Sequence, residues 1–223
     1  MMQPDLGSAA ILGAVWLGIA IVSGIKFRHL TALFLLGIFS VLVSWNFILL
    51  PYQKERVVSF LNPYADTAGA GYQAMQSMIA LGSGKFFGKG VGLGTQSRLE
   101  FLPEHTTDFI FAAYAEEWGF LGVLIFFLFL SILIWRILRS GIYGESNFEK
   151  LYAAGLAILI FFQSAVHIGM NSGMLPITGL GMPFLSYGGS SLVSLFAALG
   201  ILQSFSIHKR GIYIGGEERY KEG

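Results

Sequence analysis

Residues 51–108 read PYQKERVVSFLNPYADTAGAGYQAMQSMIALGSGKFFGKGVGLGTQSRLEFLPEHTTD, and they hold ten charged side chains in 58 positions. The flanks are of another kind. Leu30 to Leu50 carries no charge, and the run from Phe109 to Trp135 carries only Glu116 and Glu117. A chain that gathers its Asp, Glu, Lys and Arg into one long loop between hydrocarbon-soluble segments is arranged for polar chemistry at a membrane surface. Across the chain 12% of residues are charged, 54% are hydrophobic, 20 are Phe, and the mean hydropathy is +0.66. A soluble domain of this size cannot bury so much apolar surface, so lipid must be its solvent.

Five stretches are long enough to cross a hydrocarbon core of ~30 Å, which takes about 20 helical residues. They are Leu6 to Ile25, Leu30 to Leu50, Phe109 to Trp135, Leu151 to Met170 and Ser190 to Ile207. The expected fold is therefore an all-α polytopic membrane protein, one membrane domain over 1–223, with a long extracytoplasmic loop at 51–108. Helices are the spanning form these lengths allow. The third stretch would be roughly 40 Å long at 1.5 Å rise per residue and must tilt or protrude. Leu6 to Ile25 lacks the basic start and small-residue cleavage pattern of a secretory signal, and reads as a span. Lys26 and Arg28, Arg136 and Arg139, and Lys209 and Arg210 follow the first, third and fifth stretches, whereas 171–189 has no Lys or Arg. The positive-inside rule places the basic turns and a tail at 208–223 in the cytoplasm, and loops 51–108 and 171–189 outside. The chain has no cysteine, which excludes disulfides, thiolate catalysis and thiolate metal sites. A net charge of +1 argues against a nucleic-acid partner.

Within the loop, Pro51, Asn62-Pro63 and Gly69-Ala70-Gly71 mark turns. Tyr72, Met75, Ile79 and Phe86 recur near helical spacing, which predicts an interfacial or re-entrant helix. Gly88, Gly90, Gly92 and Gly94 then alternate with other residues. Such a run lets backbone amides approach an anion, and Lys85, Lys89 and Arg98 are near enough in sequence to add charge for a pyrophosphate. The plainer reading is a loop packing closely on helices. Gly82-Ser83-Gly84-Lys85 imitates a phosphate-binding loop, but Phe86 stands where Ser or Thr is required.

Asp108 sits directly before the longest apolar run. As structure, it would be an N-cap favoured by the helix dipole. As chemistry, a carboxylate crowded by Glu100 and Glu104 at a membrane boundary suits a general base. Glu116 lies about 80° around a continuous helix from Asp108 and Glu117 about 180°, so Glu116 is expected to share its cavity and Glu117 to pair elsewhere, with His167 as one partner. Ser186, Tyr187, Ser190 and Ser191 offer hydroxyls for a sugar or lipid head, or for capping the last helix. No His, Asp and Glu cluster shows dedicated metal spacing, which leaves a divalent cation open.

Several of these stretches together resemble a known family. They are Gln3-Pro4-Asp5-Leu6-Gly7, Gly69-Ala70-Gly71-Tyr72-Gln73, Gly94-Thr95-Gln96-Ser97, Phe101-Leu102-Pro103-Glu104, Asp108-Phe109-Ile110-Phe111-Ala112, Ala115-Glu116-Glu117 and Ser186-Tyr187-Gly188-Gly189-Ser190. In that order they resemble the SEDS proteins of shape, elongation, division and sporulation, and 94–104 is similar to the RodA branch. The resemblance implies ten spans, of which these would be the last five. It implies a peptidoglycan glycosyltransferase in the bacterial cytoplasmic membrane, polymerising lipid II at the outer face beside a class B penicillin-binding protein. Asp108 is then the catalytic base, with Lys85, Lys89, Gln96, Arg98, Glu100, Glu104, Glu116 and Ser186 as substrate-binding candidates. One departure is visible: the family usually reads Glu-x-His-Thr-Asp, and here the histidine of Glu104-His105-Thr106-Thr107-Asp108 stands one place earlier. Two other readings remain, a flippase for the same lipid and a non-catalytic scaffold for the penicillin-binding protein.

Overall fold

The computed structural model describes residues 6–219 except 48, 63, 65–68, 99–101, 103 and 105, and leaves the side chains of 6, 52, 97, 98 and 206–219 undescribed. Among the described residues there are eight helices and no strand. In order they are α1 (Leu6–Val22), α2 (Phe27–Phe47), α3 (Pro51–Leu61), α4 (Ala70–Ser83), α5 (Thr95–Arg98), α6 (Ile110–Ile142), α7 (Asn147–Asn171) and α8 (Gly189–Arg219). The five apolar stretches become α1, α2, α6, α7 and α8. Of these, α2, α6 and α7 are long and apolar enough to cross a membrane, while Gly7–Val22 and Gly189–Phe205 form shorter apolar helices. The described residues of the charged loop supply α3, α4 and α5. Pro51 opens α3, where a missing N–H costs nothing.

Helix α7 is central, packing on α1 and α6. Small residues set the approach: Gly18 meets Ile158, Gly155 meets Ile19, and Gly141 of α6 meets Ala153. Ile137, Ala153, Leu156, Ile160, Leu195 and Leu202 form one buried cluster between α6, α7 and α8. A second cluster of Ala80, Leu102, Phe109, Ala112 and Ile177 joins α4 to the start of α6. By contrast, no described residue of α2 is buried. In a bilayer such a surface loses nothing, because lipid tails are as apolar as leucine.

The excess length of the third apolar stretch has a structural cause. At Gly119 the backbone of α6 leaves helical geometry, with φ 66° and ψ −167°. Nine residues, 110–118, precede the break, and 23, 120–142, follow it. The second piece alone spans roughly 34 Å. Breaking a helix orphans amides and carbonyls, and at membrane depth these need protein partners. Segment 85–90 provides them. Lys89 N and Gly90 N donate to the carbonyls of Glu116 and Glu117, while Phe120 N and Leu121 N donate to those of Lys85 and Phe86. Backbone touches backbone here. A Cβ on Gly119 would lie 2.2 Å from Gly88 N, and one on Gly88 would lie 2.1 Å from Glu117 O. Of the alternating glycines, Gly88 thus serves close packing, as in the plainer sequence reading, whereas a Cβ on Gly92 would meet nothing within 4 Å.

Gly119→Ala is expected to lower folded yield and to cost about 1–3 kcal/mol from the positive-φ extended backbone alone, which essentially only glycine adopts. Gly13→Ala, where a Cβ meets nothing within 4 Å, is expected to be neutral or to gain roughly 0.5–1 kcal/mol. Thermal unfolding of both variants in detergent checks the contrast, which disappears if the break is not held by the glycine contact.

Candidate active site

Three long-range contacts hold the segment before α6. Ser186 Oγ donates to the carbonyl of Thr107 at 2.8 Å, and Tyr187 N donates to that of Thr106 at 3.0 Å. From the end of α7, Asn171 Nδ2 donates to the carbonyl of Asp108 at 3.0 Å and to that of His167 at 2.9 Å. Locally, Thr107 N and Phe109 N both donate to the carbonyl of Glu104. The backbone around Asp108 is thereby pinned from α7 and from the 178–187 loop. Beneath it, Leu102 and Phe109 are buried in the second cluster.

The carboxylate is left uncommitted as a cap. The N-cap position of α6 is Phe109, which makes no side-chain cap bond. Instead Asn171 Oδ1 accepts from Ala112 N at 3.1 Å, so a residue 59 positions away takes a first-turn amide. The N-cap role open to Asp108 in the sequence is thus filled from α7. Its side chain lies beside Gly179, where an added Cβ would stand 3.8 Å from Oδ2. Burial pushes the Asp108 carboxyl above its ordinary value of 3.8, the negative charge of Glu104 pushes it further, and Arg56 partly offsets both. Glu104 itself is exposed, and its Oε2 accepts from Thr107 Oγ1 at 2.8 Å.

The candidates from sequence separate into groups. Asp108 and Glu104 come together. Glu116 does not join them, because Asp108 precedes the helix and the angular argument from a continuous helix fails. Glu116 is 0% exposed, and its carboxylate faces the loop: it pairs with Lys89 at 2.7 Å and accepts from Thr95 N, Thr95 Oγ1 and Gln96 N. Lys89 also donates to Thr95 Oγ1 and is 29% exposed. The cation read as a pyrophosphate ligand is therefore engaged by an internal carboxylate. Lys85 is exposed at φ 49°. Gln96 uses its amide on Glu116, while its Oε1 is buried and unpaired among the described residues. The Ser186 hydroxyl is taken by Thr107 and by Met182 N, which makes it a brace for the Asp108 segment. The Arg98 side chain and all of Glu100 lie outside the described residues. The pairing of Glu117 with His167 is not found, since His167 Nδ1 meets the carbonyl of Leu180.

Two residues that sequence reasoning passed over take part. Arg56 on α3 carries the positive charge that acts on Asp108, and its Nη1 lies 3.5 Å from the carbonyl of Ile177. It also borders a small, mostly apolar cavity walled by Phe60, Met78 and Pro176. Its signal was faint, one arginine within Lys54-Glu55-Arg56. Asn171 had a better one, a carboxamide closing an apolar run of 20 residues. Among the described residues no group of three His, Asp or Glu is placed to hold a metal ion.

A broken helix, a loop docked against the break and a half-buried carboxylate at the head of a long apolar helix define a multi-pass membrane protein. The comparisons are more specific. The family model for cell cycle proteins of the FtsW, RodA and SpoVE type matches residues 1–211. The chain is 42% identical over 208 residues to peptidoglycan glycosyltransferase MrdB of Escherichia coli K12, covering 93% of this chain and 56% of that protein. It is 39% identical to stage V sporulation protein E of Bacillus subtilis, covering 94% and 57%. A chain in a solved complex, studied for structural coordination of polymerization and crosslinking by a peptidoglycan synthase, aligns with TM-score 0.71 at 32% identity, covering 90% of this chain and 55% of that one. The crystal structure of RodA from Thermus thermophilus aligns with TM-score 0.56 at 26% identity, covering 93% and 50%. This chain belongs to the FtsW, RodA and SpoVE family. It spans about half the length of the curated relatives it matches.

Asn171→Ala would strand Ala112 N and the carbonyl of Asp108, and is expected to cost about 1–3 kcal/mol. Asn171→Asp keeps the acceptor for Ala112 but turns a buried carboxylate oxygen toward the carbonyls of Asp108 and His167, so it should be no more stable than Ala, with both below wild type. Chemical denaturation of the detergent-solubilised protein would show this order, and equal stability of all three would refute the capping role.

Proposed function

We propose that this chain carries the catalytic carboxylate of a peptidoglycan glycosyltransferase acting on lipid II at the outer face of the bacterial cytoplasmic membrane. Asp108 is the general base. A sugar hydroxyl of the acceptor gives its proton to the Asp108 carboxylate as its oxygen attacks the anomeric carbon of the donor. The bond from that carbon to the lipid pyrophosphate breaks, and the pyrophosphate leaves with the electron pair. The observation that carries the reading is the pinned but uncapped carboxylate: its backbone is held from two elements, while its side chain is spared from helix duty. A base held this way costs little reorganisation when it reacts.

The remaining side chains divide the work. Lys54, Arg56 and Lys85 are the described cations of the 51–108 loop not engaged by Glu116, and Arg56, whose charge acts on Asp108, suits a departing pyrophosphate. The negative charge of the exposed Glu104 raises the basicity of Asp108. Relatives described as peptidoglycan glycosyltransferases, and a structural neighbour from a synthase complex, support both this activity and a class B penicillin-binding protein as partner. The basic turns around Lys26 and Arg136 support the orientation.

Polymerisation of lipid II by the purified protein with its penicillin-binding partner, transpeptidation blocked, tests the reading. Asp108→Asn should abolish glycan strands without lowering the amount of folded protein. Strands that survive the substitution would turn the reading toward transport or scaffolding. The pH profile adds a signed check. The rate requires ionised Asp108, so it falls as pH drops through the raised value, at higher pH than an exposed aspartate would give. Glu104→Gln removes a raising charge and should move this limb to lower pH, whereas Arg56→Gln removes a lowering charge and should move it to higher pH. Limbs that stay in place in both variants would separate the rate from Asp108.

A further inference from the structure

The most heavily bonded carboxylate in the described structure has no place in the chemistry above. Glu116 is fully buried and accepts from Lys89 Nζ at 2.7 Å, Thr95 N at 2.9 Å, Thr95 Oγ1 at 3.0 Å, Gln96 N at 3.2 Å and Ser83 Oγ at 3.3 Å. An ion pair so deep stabilises little by itself, since desolvation offsets the attraction, but losing one partner leaves an uncompensated charge. Position is what it gives. The amides of Thr95 and Gln96 open α5, so the carboxylate ties that turn to the break in α6. The carbonyl of Gln96 then accepts from Leu102 N, and buried Leu102 packs with Phe109 and Ala112. Two residues on, the carbonyl of Glu104 accepts from Thr107 N and Phe109 N. A path of hydrogen bonds and packing thus runs from Glu116 to the turn that sets Glu104 beside Asp108.

We infer that Glu116, paired with Lys89, is a positioning residue: it fixes α5 and Leu102 so that Glu104 and Asp108 keep their mutual geometry. The inference rests on the proposed function for its consequence and on the hydrogen bonds alone for its structure. Acting through the protein, the pair touches no reacting atom. Among the described residues, the charged groups acting on Asp108 are Glu104 from its own turn and Arg56 from α3. Loosening the Glu104 turn removes the raising influence and leaves that of Arg56.

The test uses the complete protein with its partner and two variants, Glu116→Gln and Lys89→Gln. Hydrogen exchange at the Thr95 and Gln96 amides, read by mass spectrometry, should quicken in both. The turnover number per folded molecule should fall by on the order of 10²-fold, as a misplaced catalytic group does, while KM stays near wild type. The acid limb should move to lower pH, and the double variant should be no worse than either single one. The exchanged pair Lys89→Glu with Glu116→Lys should not restore turnover, because an ammonium cannot accept from Thr95 N and Gln96 N. Unchanged exchange overturns the latch. Faster exchange with wild-type turnover per folded molecule and an unmoved acid limb overturns the positioning role. A raised KM for Lys89→Gln alone, with its turnover number intact, overturns it in favour of direct substrate binding. Turnover indifferent to Asp108→Asn, measured alongside, overturns the proposed function itself and with it the positioning role.

Discussion

One carboxamide joins the two halves of the site. At the end of α7, Asn171 accepts from the first turn of α6 and donates to the carbonyls of Asp108 and His167, and it is fully buried while doing so. Ser77 of α4 adds its hydroxyl to the carbonyl of Asn171 at 2.9 Å. A helix start buried beside other helices needs such a partner, because its amides reach no water. The usual solution is a capping side chain just before the helix, and Asp108 has the right chemistry and place for it. Supplying the acceptor from α7 satisfies the Ala112 amide and leaves the Asp108 carboxylate free of capping duty among the described residues. Everything proposed for Asp108 depends on that exchange.

The second constraint is the break at Gly119. A continuous helix would offer no orphan groups for segment 85–90, and that segment would have no reason to lie at this depth. Once it docks there, Lys89 falls beside Glu116 and the amides of α5 follow. The loop's charges are then sorted by depth. Glu116 and Lys89 pair with each other inside the docked loop, while Glu104, Arg56 and Lys85 are exposed. Phe86, Phe87, Val91 and Leu93 of this docked loop are exposed, as expected where protein meets the lipid interface.

Local patterns carried much of this into the sequence. The apolar runs announce α1, α2, α6, α7 and α8 because the bilayer imposes a length and a composition that no other environment does. Asp108 stood out because it directly precedes the longest apolar run, with Glu100 and Glu104 close in sequence. The 27-residue length of the third run also signalled a difficulty, although tilt or protrusion was the expected answer rather than a break at Gly119. What could not be read was set by contacts distant in sequence. Lys89 lies 27 residues from Glu116, and Asn171 lies 59 from Ala112. Neither pairing leaves a local signature, so Lys89 read as an anion ligand and Asn171 as the edge of a loop. Ser186 read as a substrate hydroxyl for the same reason, since its partner Thr107 is 79 residues away.

The most direct measurement is a structure of the complete protein with its partner and a lipid-linked disaccharide acceptor bound. The expected result is a sugar hydroxyl within about 2.6–3.2 Å of the Asp108 carboxylate, the reach of a general base, with the Asn171 and Ser186 bonds to its backbone intact. An acceptor seated elsewhere, or an Asp108 carboxylate turned inward to cap α6, would contradict the central claim.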